Sequence, residues 1–212
     1  MKRIVLVRHG QTVANREGLF RGRTDFPLDD LGRKQAEWVA DAIKQRFDAV
    51  QGIYTSPLSR AYDTAWAIAK RFDLDPLIHE GFTNIALGEW EGKEKEYIKR
   101  EYPKLWNLWV TDPEKLTLPG GEGVRDVRER SIRALNDIVK GMKDGDTMVV
   151  VSHRAVLKPL ISGCIGLQSP YFWKLHIDTA SFSVLEYWDK RGFVLTLLNE
   201  TCHLKEFVPE FV

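Results

Sequence analysis

Ile4, Val5, Leu6 and Val7 form an unbroken apolar run that stops at Arg8, His9 and Gly10. Four continuous apolar residues, three of them β-branched, fit a strand covered on both faces, as in a parallel sheet. Gly10 then releases the chain into a loop. Arg8 and His9 therefore fall at the carboxyl end of a strand, where open α/β sheets bind their ligands. An arginine beside a histidine at such a place can hold an anion; from these residues alone, a solvent-facing pair is the alternative. A second apolar run at 148–151 repeats the arrangement and ends in Ser152, His153 and Arg154. If the two strands are neighbours, two histidines meet at one edge of one sheet.

The stretches between alternate helical and extended patterns. Ala36, Val39, Ala40, Ile43 and Phe47 recur at helical spacing and predict a helix over 31–47, capped by Asp29 or Asp30. Residues 50–54 read as a second strand. Ser56 and Pro57 then suit an N-cap and first turn of a helix running to about Phe72. Arg60 falls in that first turn, where a cation opposes the helix dipole and suggests an anionic partner; a plain surface arginine is the alternative. Residues 77–79 make a third strand. The charged and aromatic stretch 93–118 reads as two short helices broken at Pro103, either an insertion capping the site or a surface subdomain. A long helix follows from 119 to about Met142, another covers 155–165, and strands at 181–188 and 193–199 flank a turn at 189–192. The expected architecture is a single α/β domain over 1–212: a three-layer sandwich with a mainly parallel central sheet flanked by helices, plus a small helical cap at about 93–118.

The 212 residues suffice for one sizeable core, and a formal net charge of +1 gives no support for nucleic-acid or membrane-surface binding. Cys164 and Cys202 suit a reduced, cytoplasmic protein better than a disulfide scaffold, with one pairing left open. The basic start and its four apolar residues are too short for a signal peptide, and no run reaches transmembrane length. No residues cluster at metal-ligand spacing, so no metal and no cofactor are expected. Seven tryptophans suggest an aromatic-lined pocket, with core packing as the alternative.

The block Arg8-His9-Gly10-Gln11-Thr12 with Asn15, the block Ser56-Pro57-Leu58-Ser59-Arg60-Ala61, the ending Gly88-Glu89-Trp90-Glu91-Gly92 and the strand-end His153 together resemble the histidine phosphatase superfamily, which includes the cofactor-dependent phosphoglycerate mutases. The resemblance runs from Arg8 to the region of His153. It implies that His9 is a nucleophile phosphorylated transiently, with its other ring nitrogen donating to a backbone carbonyl. Arg8 and Arg60 then bind the phosphate, with Asn15 as a further donor. His153, protonated or partly so, donates to another oxygen. The loop carries Arg21-Gly22 where the family commonly has Gln-Gly, and Arg154 stands where the family usually has glycine. The ending at 199–204 is similar to the metal-independent phosphoserine phosphatase branch, which brings His203 into the expected binding set.

One position departs from the pattern. The family's acidic proton donor falls on Asn84. Three readings stay open: a shifted alignment in which Glu80, Glu89 or Glu91 serves, a preference for good leaving groups, or an engineered replacement of glutamate that traps a complex. The expected function is hydrolysis of small phosphorylated metabolites through a phosphohistidine. The alternatives are a mutase of the same superfamily and an anion-binding protein with impaired catalysis; a homodimer is left open.

Overall fold

The computed structural model describes residues 1–206. Its centre is a six-stranded sheet in the order β3-β2-β4-β1-β5-β6, built from β1 (Lys2–Arg8), β2 (Gly52–Thr55), β3 (Pro76–Ile78), β4 (Thr147–Ser152), β5 (Phe182–Trp188) and β6 (Gly192–Glu200). The first four strands run parallel, β5 is antiparallel to β1, and β6 closes a hairpin with β5. The mainly parallel sheet flanked by helices is the α/β architecture expected.

The unbroken apolar run of β1 has a direct cause. Val5 and Val7, with Val149 and Val151 of β4, pack beneath α2 (Asp30–Arg46) and α3 (Ser59–Lys70). Ile4, Leu6 and Val150 point to the other face and pack beneath α6 (Val124–Gly141) and α7 (Arg154–Cys164). Alternation along the strand places successive side chains on opposite faces, so a strand with helices on both sides must be apolar throughout. A third apolar cluster joins Phe20, Trp90, Trp109, Tyr171 and Phe172 with Ile98 of α4 (Lys95–Glu101). The break at Pro103 is as read: Pro103 opens α5 (Pro103–Thr111), where its missing N–H costs nothing.

Helix starts were the least legible features. Asp29 does cap α2, its Oδ1 accepting from Gly32 N at 2.8 Å. Ser56, however, is not the cap of α3: the cap position is Leu58 and the helix begins at Ser59. Likewise α6 begins at Val124, because Glu122 turns its carboxylate to Ala86 N and to Arg130 instead of joining a helix. Cys164 and Cys202 are free thiols, and among the described residues no helix is long and apolar enough to cross a membrane.

Candidate active site

The parallel register sets Arg8 opposite Ser152, so His9 and His153 leave neighbouring strands side by side, their ring centroids 5.1 Å apart. The chain past β1 is held in place by several bonds. His9 N donates to Ser152 O at 3.0 Å, Gly10 N to Thr64 Oγ1 at 3.1 Å, and Gln11 N to Gln35 Oε1 at 2.9 Å. Gly10 packs directly on the first turn of α2, where a Cβ would lie 2.4 Å from Gly32 O. Only glycine permits that approach, and it pins His9 against the sheet edge.

The His9 ring has one partner with an unambiguous role. Its Nδ1 lies 2.7 Å from Gly10 O, a carbonyl that can only accept, so Nδ1 carries the hydrogen and Nε2 keeps its lone pair. Burial, then the charges of Arg60 and Arg8, push this imidazole well below its ordinary pKa. His153 is pushed down in the same way, by burial first and then by Arg60 and His9. Both shifts run against the expected protonation of His153, because burial and the cations crowding the two rings favour their neutral forms. His153 Nε2 lies 2.8 Å from Ser56 Oγ, while its buried Nδ1 has no partner among the described residues. Ser56, read from the sequence as a helix cap, instead orients the second histidine.

Arg8 is almost wholly buried and donates from Nη1 to Ile177 O at 2.8 Å. Arg60 is fully buried and donates to Thr24 O at 3.1 Å and Gly22 O at 3.0 Å. Burial lowers its pKa to about 10, against the opposing charge of Asp25, so it stays cationic at neutral pH. Arg60 does not itself line the cavity; it stands behind the Gly22–Thr24 backbone and acts on both histidines through its charge, with Nε lacking a hydrogen-bond partner.

The cavity above the histidines has a volume of about 220 Å³. Arg8, His9, Asn15, Arg21, Gly22, Asn84, His153 and Arg154 all line it, as expected from the sequence. Asn15 spends its Oδ1 on Thr12 N and Oγ1, which leaves its amide nitrogen as the donor. His203 is the exception. Its Nε2 bonds Ala180 O at 2.9 Å, its ring packs on Phe182, and it lies outside the cavity wall. The similar chain ending suggests a binding role for His203, and the structure places its ring apart from the other candidate residues.

Asn84 is buried at the wall and donates from Nδ2 to Gly22 O at 2.7 Å, while its Oδ1 has no partner among the described residues. None of the three glutamates offered as substitutes reaches the cavity. Glu80 accepts from Thr83 Oγ1, Glu89 from Tyr102 OH, and Glu91 from Leu87 N and from Thr24. Sequence reasoning did not single out Gln11, Arg16, Lys95 or the aromatic wall of Phe20, Trp109, Phe172 and Trp173. The high tryptophan count was the available signal for that wall. Among the described residues no group of three or more His, Cys, Asp or Glu could hold a metal ion.

Comparison with known proteins follows from this geometry. The sequence profile of the histidine phosphatase superfamily (branch 1) matches residues 4–201. The chain belongs to that superfamily. Membership makes it an enzyme, a metal-independent phosphatase. Phosphoserine phosphatase 1 of Hydrogenobacter thermophilus is 33% identical over 210 residues, covering 99% of this chain and 98% of that protein. A mycobacterial glucosyl-3-phosphoglycerate phosphatase in complex with VO3 superposes with a TM-score of 0.87 at 27% identity, over 95% of this chain and all of that one. A phosphoserine phosphatase from Entamoeba histolytica, a histidine-to-alanine mutant in complex with phosphoserine, gives a TM-score of 0.83 at 30% identity, over 96% of this chain and all of that one. Within the histidine phosphatases, then, this chain combines the paired strand-end histidines with a wall that carries Asn84.

Proposed function

We propose that the chain hydrolyses phosphate monoesters of small metabolites through a phosphohistidine at His9. The observation that carries this reading is the hydrogen bond from His9 Nδ1 to Gly10 O, which leaves Nε2 unprotonated in a pocket rich in cations. A phosphate monoester brings up to two negative charges, and Arg8, Arg21 and the charge of Arg60 offset them. Nε2 attacks phosphorus in line; the N–P bond forms as the ester P–O bond breaks, and the leaving oxygen takes the bonding pair. Because Nδ1 keeps its hydrogen, the phosphorylated ring is cationic and departs in the second step as neutral imidazole. Water then forms the new O–P bond and loses its proton to solvent. Positioning and charge neutralisation supply most of the acceleration in such transfers.

His153 Nδ1, Asn15 and Arg154 serve as phosphate or substrate contacts in this reading, and the helices at 95–111 act as a cap over the site within one domain. Relatives named for phosphoserine and glucosyl-3-phosphoglycerate support a small phosphorylated metabolite as substrate. A cytoplasmic location agrees with the two free thiols, and assembly as a homodimer is compatible with the reading. The test is phosphate release from a panel of monoesters, combined with trapping of labelled phosphate on His9. An anion-binding protein with impaired catalysis is the second reading, favoured by Asn84; it predicts vanadate binding without release of phosphate from any ester.

A further inference from the structure

No carboxyl group lines the cavity among the described residues. Its polar lining is guanidinium, ammonium, amide and imidazole, beside aliphatic and aromatic side chains. Guanidinium does not give up a proton at neutral pH. Asn84 Nδ2 is committed to Gly22 O, and an amide is no acid. Burial and the surrounding cations favour the neutral form of both imidazoles, one tied to Gly10 O and the other to Ser56 Oγ. Part of the wall is aromatic: Phe172 and Trp173 stack edge to face at 4.8 Å, Trp109 and Trp173 at 5.5 Å, and Phe20 and Trp109 at 5.6 Å. Arg154 lies over the Trp173 ring, 5.8 Å from its centroid.

From the lack of a carboxyl group in the cavity lining among the described residues, and the presence of an aromatic wall, we propose that this site selects phosphate esters of phenols over those of alkyl alcohols, with Asn84 as the residue that sets the choice. The proposal rests on the phosphohistidine reading above. In the first transfer the departing oxygen keeps the electron pair of the broken P–O bond and leaves without a carboxylic acid to protonate it; the Lys95 ammonium in the lining is a far weaker acid. A phenolate delocalises that charge and an alkoxide does not. The second transfer is unaffected, because neutral imidazole is the leaving group there whatever the ester was. The selection therefore acts on kcat/KM, which includes the first transfer and not the second. An aromatic leaving group also has ring faces to meet in Phe172, Trp173 and Trp109.

The experiment measures kcat/KM for substituted phenyl phosphates and for alkyl phosphates, including phosphoserine and glycerol phosphate. It compares the parent with Asn84→Glu and with Asn84→Gln, which matches glutamate in length without its proton. A carboxyl at this place is raised by burial and lowered by the neighbouring guanidiniums; a bound phosphate dianion offsets the guanidiniums, so in the complex it can act as an acid. General acid catalysis contributes about 10²–10⁴-fold, so the parent is expected to favour phenyl over alkyl esters by at least that margin. Asn84→Glu should narrow the gap by raising alkyl turnover, while Asn84→Gln keeps the dependence steep. Alkyl esters cleaved within about tenfold of phenyl phosphate by the parent would overturn the proposal, as would equal slopes for the Glu and Gln variants. Failure to release phosphate from any ester, with no label on His9, would instead overturn the phosphohistidine reading itself. If Asn84→Glu does not fold, Asn84→Asp supplies the acid with the parent's own side-chain length.

Discussion

Ser56 Oγ and His153 Nε2 lie 2.8 Å apart, joining the end of β2 to the end of β4 beneath the cavity. The same hydroxyl oxygen accepts from Leu58 N at 3.3 Å. A hydroxyl carries one proton and two acceptor lone pairs, so Ser56 meets the ring nitrogen whichever of the two carries the hydrogen. The bond fixes the orientation of the His153 ring and leaves Nδ1 as the nitrogen without a partner among the described residues.

Ser56→Ala is expected to leave the fold intact and lower kcat/KM by roughly 5–10-fold, the equivalent of one hydrogen bond of about 1 kcal/mol. Ser56→Thr should recover most of the loss, since it keeps the hydroxyl. Steady-state kinetics on both variants, with circular dichroism as the control for folding, checks this; unchanged kinetics for alanine would show that the bond does not orient the ring.

His9→Ala is expected to abolish turnover. Phosphorus NMR of the parent, quenched without acid, should show a phosphoramidate that the variant lacks. Loss of a single preorganised donor typically costs about 10²–10³ in rate. Arg8→Ala should fall in that range, and Arg8→Lys should recover only part of it, because a lysine lacks the planar fork. EDTA should leave the activity unchanged.

Arg60 calls for a different expectation. It holds two loop carbonyls, Thr24 O and Gly22 O, and does not line the cavity. Arg60→Ala should therefore lower thermal stability as well as kcat, since removing a buried donor strands its acceptors at about 1–3 kcal/mol. Thermal denaturation separates the two effects: a variant as stable as the parent would mean that the loop is held by other contacts.

Acid should act on stability and rate together. Burial and the neighbouring arginines hold both histidines well below their ordinary value of about 6.5. As pH falls through that value the unfolded chain takes up protons first, so the unfolded state is favoured; above it neither state gains. Stability should thus be flat above about pH 7 and decline below about 6.5. The acid limb of kcat/KM lies lower still, because His9 in the fold keeps its lone pair. A bound oxyanion opposes the desolvation, so vanadate binding should take up protons, measurable by calorimetry in buffers of different ionisation enthalpy. An acid limb at neutral pH would contradict the neutral pair.

The parts of this site that sequence could show are those set by strand edges. Arg8, His9 and His153 follow from two apolar runs and a parallel register, features with a fixed period. Ser56 was misread because serine followed by proline is equally good chemistry for a helix cap and for a turn that presents a hydroxyl. Arg60 reads from the sequence as a cation wanting an anion, but one residue type at one position does not say whether it stands in front of a loop or behind it. The aromatic wall was hidden because Phe20, Trp109 and Phe172 come from three separate stretches. His203 was drawn in by a similar ending, and only the path of the chain after β6 shows that its ring turns to Phe182 instead.

A buried carboxylate joins the 93–118 stretch to the segment Tyr171–Trp173. Glu114 accepts from Tyr171 N at 2.6 Å and Phe172 N at 2.9 Å, and Trp173 Nε1 donates to Trp109 O at 2.7 Å. Glu114→Ala should unseat the Tyr171–Trp173 segment, raising KM more than it lowers kcat. Glu114→Gln, which still accepts from both amides, should be milder; equal effects would mean that the carboxylate shape does not matter.

Trp109 and Trp173 line the cavity with their rings 5.5 Å apart, and Phe20 and Phe172 complete the cluster. Two indoles so close share excitation energy, and both border the volume that a substrate enters. Their ultraviolet emission thus carries a signal of occupancy that needs no added dye. A ligand arriving beside them shifts its wavelength or quenches it, so the protein brings its own optical gauge to every binding experiment.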